Sequence, residues 1–170
     1  GWLYRLKCRG EDGVFRPVNR IDKNTSGLVL CAQNAFAAPE LAKTAQKCYL
    51  ALVEGPLPVG SGCIDVPIAR RGDSIIGRCV REDGKPSVTE YTVLAASTSH
   101  ALVSCFPVTG RTHQIRVHMK SIGHPLIGDF LYNPDFTKIN RQALHSYRLR
   151  FTHPVTKKPL VFTAPLPEDM

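Results

Sequence analysis

Residues 47–54 alternate strictly, with Tyr49, Ala51 and Val53 on one face and Cys48, Leu50 and Leu52 on the other. Both faces are largely apolar, so the segment has no natural solvent side and belongs in the middle of a sheet. Further strand-like segments fall at residues 63–69, 74–80, 88–96 and 101–107, and two more at 144–151 and 160–162, split by the turn 153–156. Strands recurring every ~8–12 residues predict antiparallel pairing. The continuous apolar run 27–32 reads as a short buried strand. Only two segments look helical. Residues 34–46 carry Phe36, Leu41 and Ala45 at helical spacing with Pro39 in the first turn; residues 112–122 carry Ile115, Val117, Met119 and Ile122. The opening, residues 1–7, which leads into a polar turn at 9–13, has neither a cap nor a complete strand, as if the chain began inside an element. The expected architecture is mixed α/β (α+β), a mostly antiparallel sheet with few flanking helices, in one domain over residues 1–170.

Composition narrows the function classes. The chain has 170 residues, 43% hydrophobic and 21% charged, which suits one globular domain with a sizeable core. No apolar run approaches the ~18 residues of a membrane span, and no secretory signal pattern opens the sequence. The six cysteines are at least 15 residues apart, which leaves no CxxC or ribbon-type zinc pairing. Several lie in apolar runs, so they read as reduced core residues of a cytoplasmic protein, with no metal site. Thirteen basic against ten acidic residues up to residue 90 become nine against four from 91 to 170. Residues 91–128 hold no Asp or Glu, and residues 136–167 hold six basic residues and no acid. A surface built from these stretches attracts a polyanion.

Three polar segments carry chemistry. In Asn19-Arg20-Ile21-Asp22-Lys23-Asn24-Thr25-Ser26-Gly27, nearby cations and hydroxyls would favour an ionised, acceptor-only Asp22. In Thr109-Gly110-Arg111-Thr112-His113-Gln114-Ile115-Arg116-Val117-His118, Thr112 can cap a helix and shares a face with Arg116. His113 and His118 are five apart, the wrong spacing for a zincin pair. The third segment, Gly123-His124-Pro125-Leu126-Ile127-Gly128-Asp129, is a turn, an apolar tripeptide and a turn. Each alone has a plain structural reading: a turn-capping Asp, a basic surface helix, a connector.

Their order and spacing change that reading. Arg20 to Leu28 resembles the R-L-D-x-x-T-S-G-L signature of RluA-type RNA pseudouridine synthases. Lys47 to Gly55 resembles that family's K-x-Y-x-A-x-V-x-G strand, and Gly110 to His118 its G-R-T-H-Q-I-R-x-H helix entry. The Gly123 to Asp129 segment, Leu144-His145-Ser146 and Phe151-Thr152-His153-Pro154 also match, so the likeness spans roughly residues 15–167. Asn19 stands where the family usually has His, and Ile21 where it has Leu.

The resemblance implies an enzyme that isomerises uridine to pseudouridine in ribosomal or transfer RNA, with no cofactor. It puts Asp22 on the catalytic aspartate, which either attacks the sugar or stabilises a sugar cation. It puts Tyr49 on the tyrosine that stacks on the target base, and Arg116 on the aspartate's basic partner. Arg20 is expected to enter the space of a flipped base or clamp the RNA backbone, and Arg111, His113 and Gln114 to contact RNA. The family's domain begins with further strands and a K-P-x-G segment. The resemblance therefore implies a partial, N-terminally truncated catalytic domain, without an S4-type RNA-binding domain, acting as a monomer in the cytoplasm. The alternative is an RNA-binding homologue without isomerase activity. A glycosidase would need a second acid, for which only Asp129 is near.

Overall fold

The computed structural model describes residues 7–10, 14–72, 74–135 and 137–170, so most of the expected opening, 1–6 and 11–13, lies outside the described residues. In chain order the first elements are β1 (Arg16–Pro17), β2 (Ser26–Gly27), β3 (Cys31–Ala32), α1 (Ala37–Thr44), β4 (Gln46–Glu54), β5 (Gly60–Asp65) and β6 (Ile68–Arg70). Then follow β7 (Arg78–Val80), β8 (Val88–Ala96), β9 (His100–Pro107), α2 (Gln114–Ser121), β10 (Leu144–Thr152) and β11 (Pro159–Thr163).

The main sheet runs β11-β10-β4-β9-β8-β5, all antiparallel, with β2 added in parallel on β10. The doubly apolar strand is central, as its alternation requires: Tyr49 pairs with Cys105 on one side and Ser146 on the other. Helix α2 covers the Tyr49 face, where Ile115 and Met119 pack with Tyr49, Ala51, Val53 and Val103. Helix α1 packs through Leu41 against Phe151 and Ala32. Asn34 Oδ1 accepts the Ala37 N–H at 2.8 Å and so starts α1, while Phe36 is left exposed at its entrance.

Several expectations need correction. Residues 27–32 are not one buried strand: β2 and β3 touch different partners and Val29 is 43% exposed. The cause is a side chain: Asn19 Oδ1 takes the Leu30 N–H at 2.7 Å, and Val18 N–H bonds Leu30 O at 2.8 Å, which turns the run from β10 towards β1. The 63–69 segment breaks between β5 and β6, where Pro67 has no N–H to donate. Of 74–80, only the end is strand, because Ser74 Oγ accepts the Gly77 N–H at 2.9 Å and makes a turn. Cys48 and Cys105 are buried as expected, but Cys8 and Cys63 are exposed. Burial pushes the Cys105 thiol up to about 12, so it stays protonated and inert.

Candidate active site

The loop carrying Asp22 is pinned from both ends. Thr25 N–H bonds Asp22 O at 3.0 Å, and Gln142 Nε2 donates to Lys23 O at 2.7 Å and Thr25 Oγ1 at 3.1 Å. Gly27 then lies flat on β10 with φ +103°, where a Cβ would sit 2.3 Å from Ser146 O. Only glycine allows that approach. The Asp22 side chain is left 22% exposed, facing the first turn of α2.

Arg116 meets it there. Its Nη1 donates to Asp22 Oδ2 at 3.4 Å, while Nε and Nη2 donate to Asp129 Oδ2 and Oδ1, both at 2.7 Å. Asp129 is fully buried and also accepts the Leu131 N–H at 3.1 Å. The Arg116 guanidinium carbon stands 5.0 Å from the centre of the Tyr132 ring, a cation–π contact. Burial alone would lower the guanidinium's pKa; the hydrogen bonds and charge of Asp129 outweigh it and raise the value. The result is a line of groups, Asp129 to Arg116 to Asp22, running from the core to solvent.

Tyr49 lies on β4 beside this line, in the core cluster. Burial pushes its hydroxyl up from the usual tyrosine value, Ser146 and Asn19 offset part of the rise, and the charge of Asp22 adds to it.

Asp22, Tyr49, Arg116, Arg20, Arg111, His113 and Gln114 all line one cleft of about 430 Å³, together with Lys47. The structure thus brings together every residue singled out from sequence, in differing circumstances. Arg20 Nη2 donates to Thr112 Oγ1 at 2.7 Å across the cleft. Thr112 therefore does not cap the helix, which instead starts after His113 in the left-handed conformation, with no side-chain cap. Arg111 Nε donates to Pro86 O at 3.1 Å, and His113 Nδ1 is 2.7 Å from the Tyr132 hydroxyl. Burial lowers the His113 pKa, against the pull of Asp22. Gln114 is buried: its Oε1 accepts from Thr109 Oγ1 and Arg111 N–H, and its Nε2 donates to Val88 O and Thr89 Oγ1. That set uses its amide fully and locks α2 to β8.

Sequence reasoning missed Asp129 as the clamp of Arg116, and Tyr132 beneath it. The available signal for the first was an acid directly after Gly128, whose φ of +69° and lack of Cβ let the turn close against Arg141 O. Nothing in the pattern marks Tyr132. Among the described residues, no group of three or more His, Cys, Asp or Glu side chains is arranged to hold a metal, and no helix is long and apolar enough to cross a membrane.

Comparison with known proteins identifies the family. A family model described as RNA pseudouridylate synthase matches residues 3–121. The chain belongs to the RNA pseudouridylate synthase family. It is 45% identical over 175 residues to a Bacillus subtilis (strain 168) protein called "Uncharacterized RNA pseudouridine synthase YjbO", covering 100% of this chain and 62% of that one. It is 42% identical to the "Ribosomal large subunit pseudouridine synthase D" of Nitrosomonas europaea, covering 90% of this chain and 48% of that protein. The chain thus spans about half to three-fifths of the length of these relatives. The solved structure titled "Human RNA Pseudouridylate Synthase Domain Containing 1" superposes with a TM-score of 0.80 at 30% identity, over 97% of this chain and 72% of that one.

Proposed function

We propose that this chain isomerises specific uridines in structured RNA to pseudouridine, in the cytoplasm and without a cofactor. The observation that carries the reading is Asp22: a carboxylate at the mouth of a cleft, bonded to a clamped arginine at 3.4 Å, with Tyr49 beside it. The cleft is lined by Arg20, Lys47, Arg111 and Arg116 against one acid, a balance suited to a phosphate backbone. The name of the Nitrosomonas relative directs the search to ribosomal RNA before transfer RNA.

In this reaction the N1–C1′ bond breaks, the base turns over, C5 joins C1′, and the proton on C5 leaves while N1 gains one. Nothing is oxidised or reduced. A base inside a helix cannot reach a carboxylate in a cleft, so the uridine flips out, and Arg20 fills or clamps the vacated position. Asp22 meets the positive charge that develops at C1′ as N1 leaves; as an attacking nucleophile or as a counter-ion it must be ionised. Arg116 supports that state. The Tyr49 ring lies under the uracil. Its hydroxyl, kept protonated by burial, takes the C5 proton only while passing its own on. Arg111 and His113 contact the flanking RNA, and Gln114 holds the loop that presents them.

Release of tritium from RNA labelled at uridine C5 tests the reading. Asp22→Asn is expected to lower release by at least ~10³-fold, while RNA affinity stays within about threefold. Release at the normal rate from Asp22→Asn overturns the assignment. Binding without release by the unaltered protein would make it an RNA-binding homologue.

A further inference from the structure

A second groove lies at the end of β4, on the other side of the sheet. It encloses about 200 Å³ and is lined by Gln46, Lys47, Cys48, Phe106, Arg148, Arg150 and Val161. Register explains its position. Arg148 pairs with Cys48 and Arg150 with Gln46, so by strand alternation these side chains share the face opposite Tyr49. Leu149, between the two arginines, is buried on the Tyr49 face with Lys47 as its partner. A bulge between Ser146 and Arg148 creates this arrangement; without it the arginines would point the other way.

The groove's charge is one-sided. Arg148 and Arg150 are exposed, and neither they nor Lys47 makes an ion pair among the described residues. No lining residue is acidic. Glu90 pairs with Phe106 in the sheet and so lies beyond the apolar floor, without an ion pair to these cations. By contrast, Lys43 and Lys157 of the neighbouring surface both reach Glu40. Two arginines two residues apart on one strand face stand about 7 Å apart at their backbones, a spacing comparable with successive phosphates of a nucleic acid strand. The floor of Phe106, Cys48 and Val161 offers an apolar surface on which a base or sugar can rest.

Lys47 connects this groove to the catalytic cleft, because it lines both. We propose that the groove is a phosphate subsite for the single-stranded RNA flanking the target uridine, which leaves the cleft over Lys47 and runs along Arg150 and Arg148. The proposal rests on the RNA-modifying reading above and deepens it: it states where the substrate goes after the reacting nucleotide. Charge complementarity and the shared lysine select RNA as the occupant, rather than a protein or a membrane.

The test uses the full chain and two RNAs, a stem–loop with uridine in its loop and the same stem–loop with a single-stranded flank. Affinities are measured by fluorescence anisotropy over a salt series. The unaltered protein is expected to bind the flanked RNA about tenfold more tightly. In Arg148→Glu/Arg150→Glu that advantage disappears, and the salt slope for the flanked RNA becomes shallower by about 1.4, at ~0.7 per single-strand phosphate. Arg148→Lys/Arg150→Lys retains most of the advantage, since a phosphate subsite needs charge more than fork geometry. The proposal is overturned if the charge-reversed protein keeps the full advantage and slope, or if the flank adds nothing to binding by the unaltered protein. Tritium release from the bare stem–loop reports separately on the isomerase reading. Failure there with flank-dependent binding intact would strike the chemistry and leave the subsite standing.

Discussion

Arg116 holds two carboxylates, and they could hardly be held more differently. Asp129 is fully buried and takes two parallel hydrogen bonds of 2.7 Å; Asp22 is 22% exposed and takes one of 3.4 Å. The inner pair uses the planar fork of the guanidinium and leaves it one orientation, with the Tyr132 ring below. The outer contact uses what remains, one nitrogen directed at the cleft. A carboxylate clamped like Asp129, fully buried and accepting three hydrogen bonds, is closed to a substrate. A carboxylate steadied by one long hydrogen bond keeps acceptor sites free at the cleft. On the proposed reading, the difference separates positioning from reaction within a single line of three side chains.

Removing the inner partner should cost most. Asp129→Ala leaves a buried, uncompensated guanidinium, and urea denaturation is expected to show a loss of about 3–5 kcal/mol. Asp22→Ala removes a partly exposed partner at 3.4 Å and should cost under about 1 kcal/mol. Equal losses from the two substitutions would erase the distinction between clamp and reacting group. A smaller effect sharpens it. Tyr132→Phe keeps the ring under Arg116 but removes a hydroxyl that meets His113 Nδ1 at 2.7 Å and accepts the Arg78 N–H at 2.9 Å. A loss of about 1 kcal/mol is expected, with the Arg116 pairs intact. A loss as large as that of Asp129→Ala would mean that the hydroxyl, rather than the buried carboxylate, holds the arginine in place.

The same contrast explains what the sequence made legible. Strand β4 could be read because its period and its lack of a polar face are properties of consecutive residues, and β8 matches the 88–96 expectation residue for residue. The residues gathered in the cleft could be found because three motifs recur in a known order, although Asp22 and Arg116 are 94 positions apart. What was not legible depends on a contact with another part of the chain. Residues 27–32 split because Asn19, eleven positions before Leu30, takes a backbone N–H. Thr112 is no cap because Arg20, ninety-two positions earlier, uses its hydroxyl. Asp129 read as the end of a connector because burial beside Arg116 is decided by how the turn at Gly128 packs, which leaves no periodic trace.

The smallest effect expected concerns the scaffold behind the clamp. Burial lowers the pKa of His118, and a backbone hydrogen bond to Val66 offsets only part of the change; burial also lowers that of His113. The contacts of His118 fit a neutral ring. Gln114 Nε2 donates to Thr89 Oγ1, so the Thr89 hydroxyl is free to donate to His118 Nδ1 at 2.9 Å, while Nε2–H donates to Val66 O at 3.1 Å. A second proton on Nδ1 would confront that hydroxyl donor. Below about pH 6.5 the unfolded chain therefore binds more protons at these two positions than the folded one, and stability declines as the pH falls towards the folded values. Thermal denaturation from pH 8 down to pH 5.5, above most carboxylate titrations, should show a midpoint that is steady at first and then falls. Imidazole resonances should show His118 titrating below the ~6.5 of an unperturbed imidazole. A midpoint that rises on acidification, or a His118 that titrates at or above 6.5, would show that the ring can carry charge in place. The Gln114–Thr89–His118 chain would then not be what holds α2, and with it Arg116, against the sheet.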